Sequence, residues 1–272
     1  MTQQLPTFRI LRRQVEGPAN DDRTLLGVVK IQMPQQCGKD FKIRPTEIAR
    51  NLGLVQNAVA RFGNWGRDVE APAIVLFPEF SISTEALNWL LDQMSSDQIA
   101  PNTLIIFGLE QVTTKEFMTY VADSDSKEDF DGNFGPNINL INTAVILAKD
   151  HSSNVTRYFQ PKCSRSDYEL SRQYVSRTVN LIRFGPYESV VSICSDFLLN
   201  DDNGQPLLGQ LLQDIEGMYA HPGDHRLDLV LLIQNNPSPL HELYDRSIRY
   251  LYRNRPHHSA PFGDLRYYHL RR

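Results

Sequence analysis

The chain has 272 residues, 41% of them hydrophobic, and a formal net charge of −4. A chain of this length buries one sizeable core and is too short for two generous domains. The small negative charge gives no reason to expect nucleic acid or an anionic membrane as a partner.

The cysteines and the N-terminus favour a cytoplasmic protein. Cys37, Cys163 and Cys194 form an odd and sparse set, which argues against a disulfide framework and for a reducing compartment. The first six residues lack the charged and then apolar layout of a signal peptide. No apolar run approaches the roughly 20 residues that a membrane helix needs. We therefore expect a globular protein of the cytoplasm.

The first part of the chain predicts an arm and then alternating strands and helices. Residues 1–24 are polar and predict a loose N-terminal arm. Residues 25–33 are rich in β-formers and end at a proline, which is typical of a first strand. Apolar residues recur at spacings of three and four over 46–62, which indicates an amphipathic helix. The apolar run 73–77 predicts a central strand covered on both faces, and a helix is predicted at 83–93.

The rest of the chain continues this alternation. An acidic insert at 113–137 interrupts it; the run from Asp123 to Asp129 lacks the glycine that a calcium loop needs at its sixth position, so a solvated surface loop is expected. No repeat or linker divides the chain, so we predict one α/β domain over 25–255 and a basic, aromatic tail over 256–272. The remaining predicted elements are strands at 103–108, 142–147, 155–159, 181–184, 189–193 and 227–233 and helices at 207–218 and 239–253.

Cys194 directly follows the apolar strand 189–193. The carboxyl ends of strands are where open α/β sheets place their ligand crevices. A free thiol has a pKa of roughly 8.5 and is mostly protonated at neutral pH. A nucleophilic Cys194 therefore needs a nearby cation or a base that takes its proton.

Two other predicted strands end in ionisable residues. Glu79 follows the strand 73–77, and Lys162 follows the β-rich stretch that ends at Pro161. A partly buried carboxylate can take the thiol proton. An ammonium group can stabilise both the thiolate and the oxyanion that forms when the sulfur attacks a carbonyl or nitrile carbon, with the backbone N–H of Ser195 as a second donor.

These residues together resemble the carbon–nitrogen hydrolase (nitrilase) superfamily. The resemblance lies in three ordered motifs, which are Phe77-Pro78-Glu79-Phe80, Tyr158-Phe159-Gln160-Pro161-Lys162 and Ile193-Cys194-Ser195-Asp196. With supporting segments such as Asn142-Thr143-Ala144, it covers residues 25–254.

The resemblance implies an αββα sandwich with mixed sheets that hydrolyses amides, nitriles or carbamoyl groups without metal or cofactor. It makes Glu79 the general base, Lys162 the oxyanion stabiliser and Cys194 the nucleophile. Many members have a second glutamate near the substrate, for which Glu169 is the candidate. The residues expected on the substrate or oxyanion side are Glu169, Ser195, Asp196 and Asn235.

The sequence departs from the family pattern after the nucleophile. Ser195 replaces the usual aromatic residue, Asp196 is kept, and the following arginine and proline are missing. The family's C-terminal strands with their glycine-rich turns have no counterpart after Arg255. We therefore expect the C-terminal part of the sandwich to be truncated or completed differently.

Other chemistries have weaker support. His221 and His225 flank a Pro-Gly-Asp turn and do not form a helical metal pair, so no metal site is expected. No histidine lies at a clear strand end, as the base of a cysteine protease would, and no glycine-rich loop predicts phosphate binding. Cys163 adjoins Lys162, and neighbours on a strand point to opposite faces, so it is expected to be structural or else exposed to oxidation.

One alternative function remains open at this point. A divergent domain of the same fold could bind a ligand, or serve as a sensor or assembly module in a larger system. The arginines and tyrosines of the tail 256–272 could contact nucleic acid or a protein, although a solvated or subunit-packing tail is preferred. The family usually associates through helices that flank the sheets, so a homo-oligomer acting on a small amide or nitrile is expected.

Overall fold

Two mixed β-sheets with helices on their outer faces form the fold. The computed structural model describes residues 7–17, 24–29, 41–68, 72–165, 171–185, 187–200, 206–219, 227–235 and 241–253. The tail 256–272 therefore lies outside the described residues. None of the helices in these ranges is long and apolar enough to span a bilayer.

The elements follow the predicted alternation closely. The helices are α1 Pro45–Phe62, α2 Trp65–Asp68, α3 Thr84–Ser95, α4 Thr114–Ala122, α5 Leu208–Glu216 and α6 His241–Arg253, with a 3₁₀ helix at Cys194–Phe197. The strands are β1 Arg9–Val15, β2 Leu25–Val28, β3 Ala73–Leu76, β4 Thr103–Gly108, β5 Val112–Thr113, β6 Leu140–Ile141, β7 Thr143–Lys149, β8 Val155–Pro161, β9 Thr178–Phe184, β10 Tyr187–Ile193 and β11 Leu229–Ile233. The hairpin expected between the strands at 142–147 and 155–159 is confirmed as β7 and β8.

The five-stranded sheet has the order β2-β3-β4-β7-β8. Strands β2, β3 and β4 are parallel, β7 runs against β4, and β8 runs against β7. Strand β8 therefore runs in the same direction as β3. Because of this, the carboxyl ends of β3 and β8 and the amino end of β7 lie at one edge of the sheet.

The four-stranded sheet has the order β1-β9-β10-β11. Strands β10 and β11 are parallel, β9 runs against β10, and β1 is parallel to β9. The carboxyl end of β10 thus lies beside that of β11. Strands β5 and β6 form a separate two-stranded ribbon.

Three apolar clusters define the layers. The central cluster joins residues of both sheets, among them Ile74 and Ile146 of the first and Val191 of the second. A second cluster packs α1, α3 and α4 on the five-stranded sheet, and a third packs α5 and α6 on the four-stranded sheet. The order of layers is helix, sheet, sheet, helix, so the predicted αββα sandwich with mixed sheets is confirmed.

The expectation of a loose arm at 1–24 is wrong for residues 9–15, which form the edge strand β1. Backbone pairing with β9 holds this strand, and its arginines contact aromatic rings. The guanidinium carbons of Arg12 and Arg13 each lie 4.7 Å from the ring centroid of Tyr219 and Tyr158, respectively. Long charged side chains on an edge strand keep their heads near solvent, so the stretch has no apolar pattern.

The acidic insert at 113–137 is more ordered than the predicted interruption implied, because residues 114–122 form α4 and the segment contains an aromatic cluster. The acidic run 123–129 is a surface turn in which all residues but Ser126 are exposed or half-buried, as expected. Thr113 and Glu116 form a reciprocal capping box at the start of α4. Phe117 packs edge-on against Phe130 and Phe159, with centroids 5.1 and 5.8 Å away. The aromatic residues of the insert pack it against β8, although acidic residues are what stand out in the sequence of this segment.

The turn after β3 packs against Gly108, the last residue of β4, so closely that no side chain fits at position 108. A Cβ at this position would lie 2.4 Å from the Cα of Glu79 and 2.5 Å from the backbone nitrogen of Phe80. The Gly108 N–H also donates to the Pro78 carbonyl at 3.1 Å, and its carbonyl accepts from the Ser81 N–H at 2.9 Å. Gly108 thus sets the position of the backbone that presents Glu79.

We predict that Gly108→Ala lowers the free energy of unfolding by about 1–3 kcal/mol, because the new methyl group meets backbone that cannot move aside cheaply. Gly53→Ala in α1 is the matched control, since its added Cβ has no described atom within 4 Å apart from its chain neighbours and the nearby backbone of its own helix. This control should gain about 1 kcal/mol from helix propensity. Urea unfolding of both variants checks the opposite signs, and equal effects would contradict the proposed role of Gly108.

Candidate active site

Three residues from one edge of the five-stranded sheet meet in a buried polar cluster. The carboxylate Oε1 of Glu79 lies 3.0 Å from the ammonium Nζ of Lys162, and their side chains are 3% and 1% exposed. The Asn142 amide donates to the same Oε1 at 2.7 Å. The Asn142 backbone carbonyl also accepts the N–H of Lys162 at 2.9 Å. Asn142 therefore links Glu79 to Lys162.

The topology explains why these residues meet. Glu79 lies three residues beyond β3, Lys162 directly after β8, and Asn142 directly before β7. Since β3 and β8 run one way and β7 runs the other, all three positions fall at the same sheet edge. Glu79 and Lys162 were predicted to lie together from their positions at strand ends, whereas Asn142 had no predicted role in the site.

Cys194 lies where β10 turns into the 3₁₀ helix, and its backbone is strained. Its φ angle is +48°, in the left-handed region that non-glycine residues avoid. Holding an L-residue there costs about 1–2 kcal/mol, and such strain clusters at functional sites. A sharp strand-to-helix turn also presents the nucleophilic serine of α/β-hydrolases. The residue is 7% exposed.

The side chain of Gln160 bridges the two sheets next to these positions. The β9–β10 ladder ends at the pair Leu181 and Val190, so the next pair would be Asn180 with Val191. The Gln160 amide lies between these two strands instead: its Oε1 accepts from the Asn180 N–H and its Nε2 donates to the Val191 carbonyl, both at 2.9 Å. Gln160 thereby couples the strand before Lys162 to the strand before Cys194.

Tyr244 of α6 is a site residue that the sequence analysis missed. Its phenol oxygen lies 3.6 Å from the Cys194 sulfur, and the residue is 5% exposed. Burial is the main reason why the pKa of Tyr244 lies well above its usual value. The nearby Cys194 and Glu79 raise this pKa further, and Lys162 lowers it. Tyr244 is thus within electrostatic reach of all three predicted catalytic residues. On the sequence it reads as one more core position of an amphipathic helix.

Ser195 and Asp196 form a joint between the 3₁₀ helix and the segment after Lys162. The Asp196 carboxylate accepts the Cys163 N–H at 2.9 and 3.0 Å and the Ser164 hydroxyl at 2.8 Å. The hydroxyls of Ser164 and Ser195 lie 2.7 Å apart. These contacts secure the loop that holds Lys162. The expected substrate or oxyanion contacts of Ser195 and Asp196 stay predictions.

Cys163 is separate from this chemistry. It is 3% exposed and packs in the apolar cluster beneath α5 and α6. Burial is the main reason why the pKa of the Cys163 thiol lies well above its ordinary value. The charge of Asp196 raises this pKa further, and Arg177 and Lys162 lower it. This agrees with the structural role expected for it.

The remaining candidates are less well placed for a test. Glu169 lies outside the described residues, so its role stays a prediction. Asn235 is half-buried two residues beyond β11, at the same sheet edge as Cys194, and its substrate contact also stays a prediction. Across the described ranges, no group of three or more His, Cys, Asp or Glu side chains is arranged to hold a metal ion.

Comparisons with known proteins give only distant likenesses. No protein-family model and no curated protein matches the chain. One similar solved structure is the glutamine-dependent NAD⁺ synthetase from Acinetobacter baumannii with ADP, at 13% identity and a TM-score of 0.44, covering 78% of this chain and 34% of that one. Another is a mutant amidase from Nesterenkonia sp. AN1 with acrylamide added at its active-site cysteine, at 15% identity and a TM-score of 0.40, covering 72% and 64%.

This chain therefore spans about a third of the synthetase and just under two thirds of the amidase. Likenesses of this size are compatible with many activities. The function has to be inferred from the site itself.

We predict that Lys162→Met lowers the free energy of unfolding by about 3–5 kcal/mol, because it leaves the buried Glu79 carboxylate without its cation. Lys42→Met is the matched control: Lys42 lies 3.3 Å from Glu116, but both side chains are well exposed, at 39% and 45%. Its loss should cost less than about 1 kcal/mol. Adding Glu79→Gln to Lys162→Met should recover part of the loss. Equal costs for the two lysines, measured by urea unfolding, would contradict a buried ion pair.

We also predict that Cys163 resists alkylation in the folded protein at pH values where a free thiol is already largely ionised, because its pKa is raised and it is buried. Urea should expose it to rapid labelling. Peptide mass mapping after iodoacetamide treatment distinguishes it from Cys37 and Cys194. Rapid native labelling of Cys163 would contradict its placement in the core.

Proposed function

We propose that this protein is a carbon–nitrogen hydrolase of the nitrilase type, which cleaves a non-peptide amide, nitrile or carbamoyl bond of a small molecule. Cys194 is its nucleophile, Glu79 its general base and Lys162 its oxyanion stabiliser. Support comes above all from the buried pair of Glu79 and Lys162, which lies within electrostatic reach of the tyrosine that contacts Cys194.

The energetics favour catalysis over ligand binding or assembly as the reason for this cluster. A buried ion pair contributes little to stability, since apolar residues of the same volume often replace it without loss. The left-handed backbone at Cys194 adds a further cost. A fold keeps such groups together when the chemistry of the site requires them.

The first half of the proposed reaction forms an acyl-enzyme. Glu79 takes the thiol proton of Cys194, and the sulfur attacks the carbonyl carbon of the amide. The carbonyl oxygen becomes an anion, which the Lys162 ammonium stabilises. The carbon–nitrogen bond then breaks, the nitrogen takes the proton from Glu79, and an amine or ammonia leaves behind a thioester on Cys194.

The second half releases the acid. Glu79, again ionised, takes a proton from a water molecule, and the hydroxide attacks the thioester carbon. The second oxyanion again lies against Lys162. When the carbon–sulfur bond breaks, the proton held by Glu79 returns to the sulfur and the carboxylic acid leaves. All proton transfers thus use one carboxylate, which the Asn142 amide keeps in place.

We predict that Cys194→Ala lowers ammonia release from a panel of small amides and nitriles by at least about 10³-fold, because the thioester can no longer form without the sulfur. Glu79→Gln should lower it to a similar degree by removing the base. Cys163→Ala is the control and should stay within a few-fold of wild type. Thermal unfolding would verify that each variant folds.

A thioester adduct in the intact mass of the wild type, absent from Cys194→Ala, would support the covalent step. Undiminished hydrolysis by Cys194→Ala would overturn the proposal. Equal binding of an amide by both proteins with no ammonia release would favour the ligand-binding alternative.

A further inference from the structure

The phenol of Tyr244 contacts the proposed nucleophile directly. Its oxygen lies 3.6 Å from the Cys194 sulfur, within the range of a hydrogen bond to sulfur. The ring is stacked on Phe197, with centroids 6.3 Å apart and planes at 14°. Phe197 belongs to the same 3₁₀ helix as Cys194. The position of the phenol is therefore fixed relative to the sulfur by packing within the same corner of the fold.

We propose that Tyr244 is a further catalytic residue, whose phenol O–H donates a hydrogen bond to the thiolate of Cys194 and so increases the ionised fraction of that thiol at neutral pH. This role rests on the proposed function for its benefit to turnover. The hydrogen bond itself can be tested without a substrate.

The direction of the hydrogen bond follows from the chemistry of the two groups. Between a neutral thiol and a phenol either oxygen or sulfur can donate, but a thiolate can only accept. Tyr244 is buried, and burial disfavours its ionised form. The phenol therefore keeps its proton when the thiol has lost its own, and a hydrogen bond to an ion is about twice as strong as one between neutral groups.

The charged groups near Cys194 do not by themselves account for a stable thiolate. Glu79 and Lys162 are charged groups near Tyr244, and Asp196 lies two residues after Cys194 in the 3₁₀ helix. Glu79 already binds the Lys162 ammonium at 3.0 Å. Asp196 accepts from the Cys163 N–H and the Ser164 hydroxyl. Because nearby carboxylates disfavour a thiolate, a neutral hydrogen-bond donor to the sulfur favours the ionised thiol.

The decisive experiment measures the rate of Cys194 alkylation by iodoacetamide against pH, with peptide mass mapping to separate it from Cys37 and Cys163. Tyr244→Phe removes only the phenol oxygen and keeps the ring on Phe197. We expect the midpoint of the rate profile to move up by about one pH unit, with about a tenfold slower reaction below the midpoint.

Tyr250→Phe is the matched control, since it removes a phenol oxygen from the same helix at a site beside Gly209, against α5. Its profile should coincide with that of the wild type. An unchanged or lowered midpoint in Tyr244→Phe would overturn the proposal, because a tyrosine that only packs or covers the sulfur would give one of these results.

A second measurement applies even if Tyr244→Phe folds poorly. Fluorinated tyrosine incorporated at position 244 keeps the side chain nearly isosteric while making the phenol a stronger donor. The pH midpoint of alkylation should then fall as the acidity of the phenol increases. A midpoint that stays the same for phenols of different acidity would also overturn the proposal.

The two proposals fail differently. A shifted midpoint in Tyr244→Phe together with no hydrolysis of any amide or nitrile would keep the hydrogen bond and count against the proposed function. Hydrolysis that requires Cys194, with no shift in the midpoint, would count against the role of Tyr244 alone.

Discussion

The buried ion pair of Glu79 and Lys162 is the constraint on which the rest of the site depends. Two charges with 3% and 1% exposure are tolerable only if their geometry is good and their remaining hydrogen bonds are made. The Asn142 side chain donates a hydrogen bond to the Glu79 carboxylate, and its backbone carbonyl holds the backbone N–H of Lys162. The parallel course of β3 and β8 brings the charges to one edge, and the bare backbone of Gly108 lets the Glu79 turn come close enough.

A second requirement is that the other sheet presents Cys194 to this pair. Cys194 and the ion pair belong to different sheets, so the distance between them has to be set by specific contacts as well as by apolar packing. Gln160 joins β8 to β9 and β10 with two hydrogen bonds. Asp196 joins the 3₁₀ helix to the residues after Lys162. Buried polar groups with such directional bonds specify one arrangement of the layers, whereas apolar side chains alone would tolerate several.

The outer helix α6 connects the packing of the fold with the chemistry of the site. Its inner face covers the four-stranded sheet, with Tyr244 and Leu251 in the same apolar cluster as residues of β10 and β11. One of these core positions has a phenol whose oxygen reaches the sulfur of Cys194. A helix that supplies apolar burial to the sheet thus also contributes to the immediate surroundings of the thiol.

The sequence by itself determined the strands that end before Glu79, Lys162 and Cys194, because buried strands leave a local apolar signature that charged or reactive residues interrupt. It also determined four of the helices and the α/β class, while the αββα arrangement was what the resemblance of the three motifs implied. It did not show β1, whose arginines hide an edge strand, or α4, whose acidic neighbours hide an aromatic core. Only the tertiary structure decided that Asn142 holds Glu79, that Asp196 supports the loop after Lys162, and that Tyr244 reaches Cys194 across 50 positions of the chain. These contacts join distant segments, and no pattern within one segment encodes them.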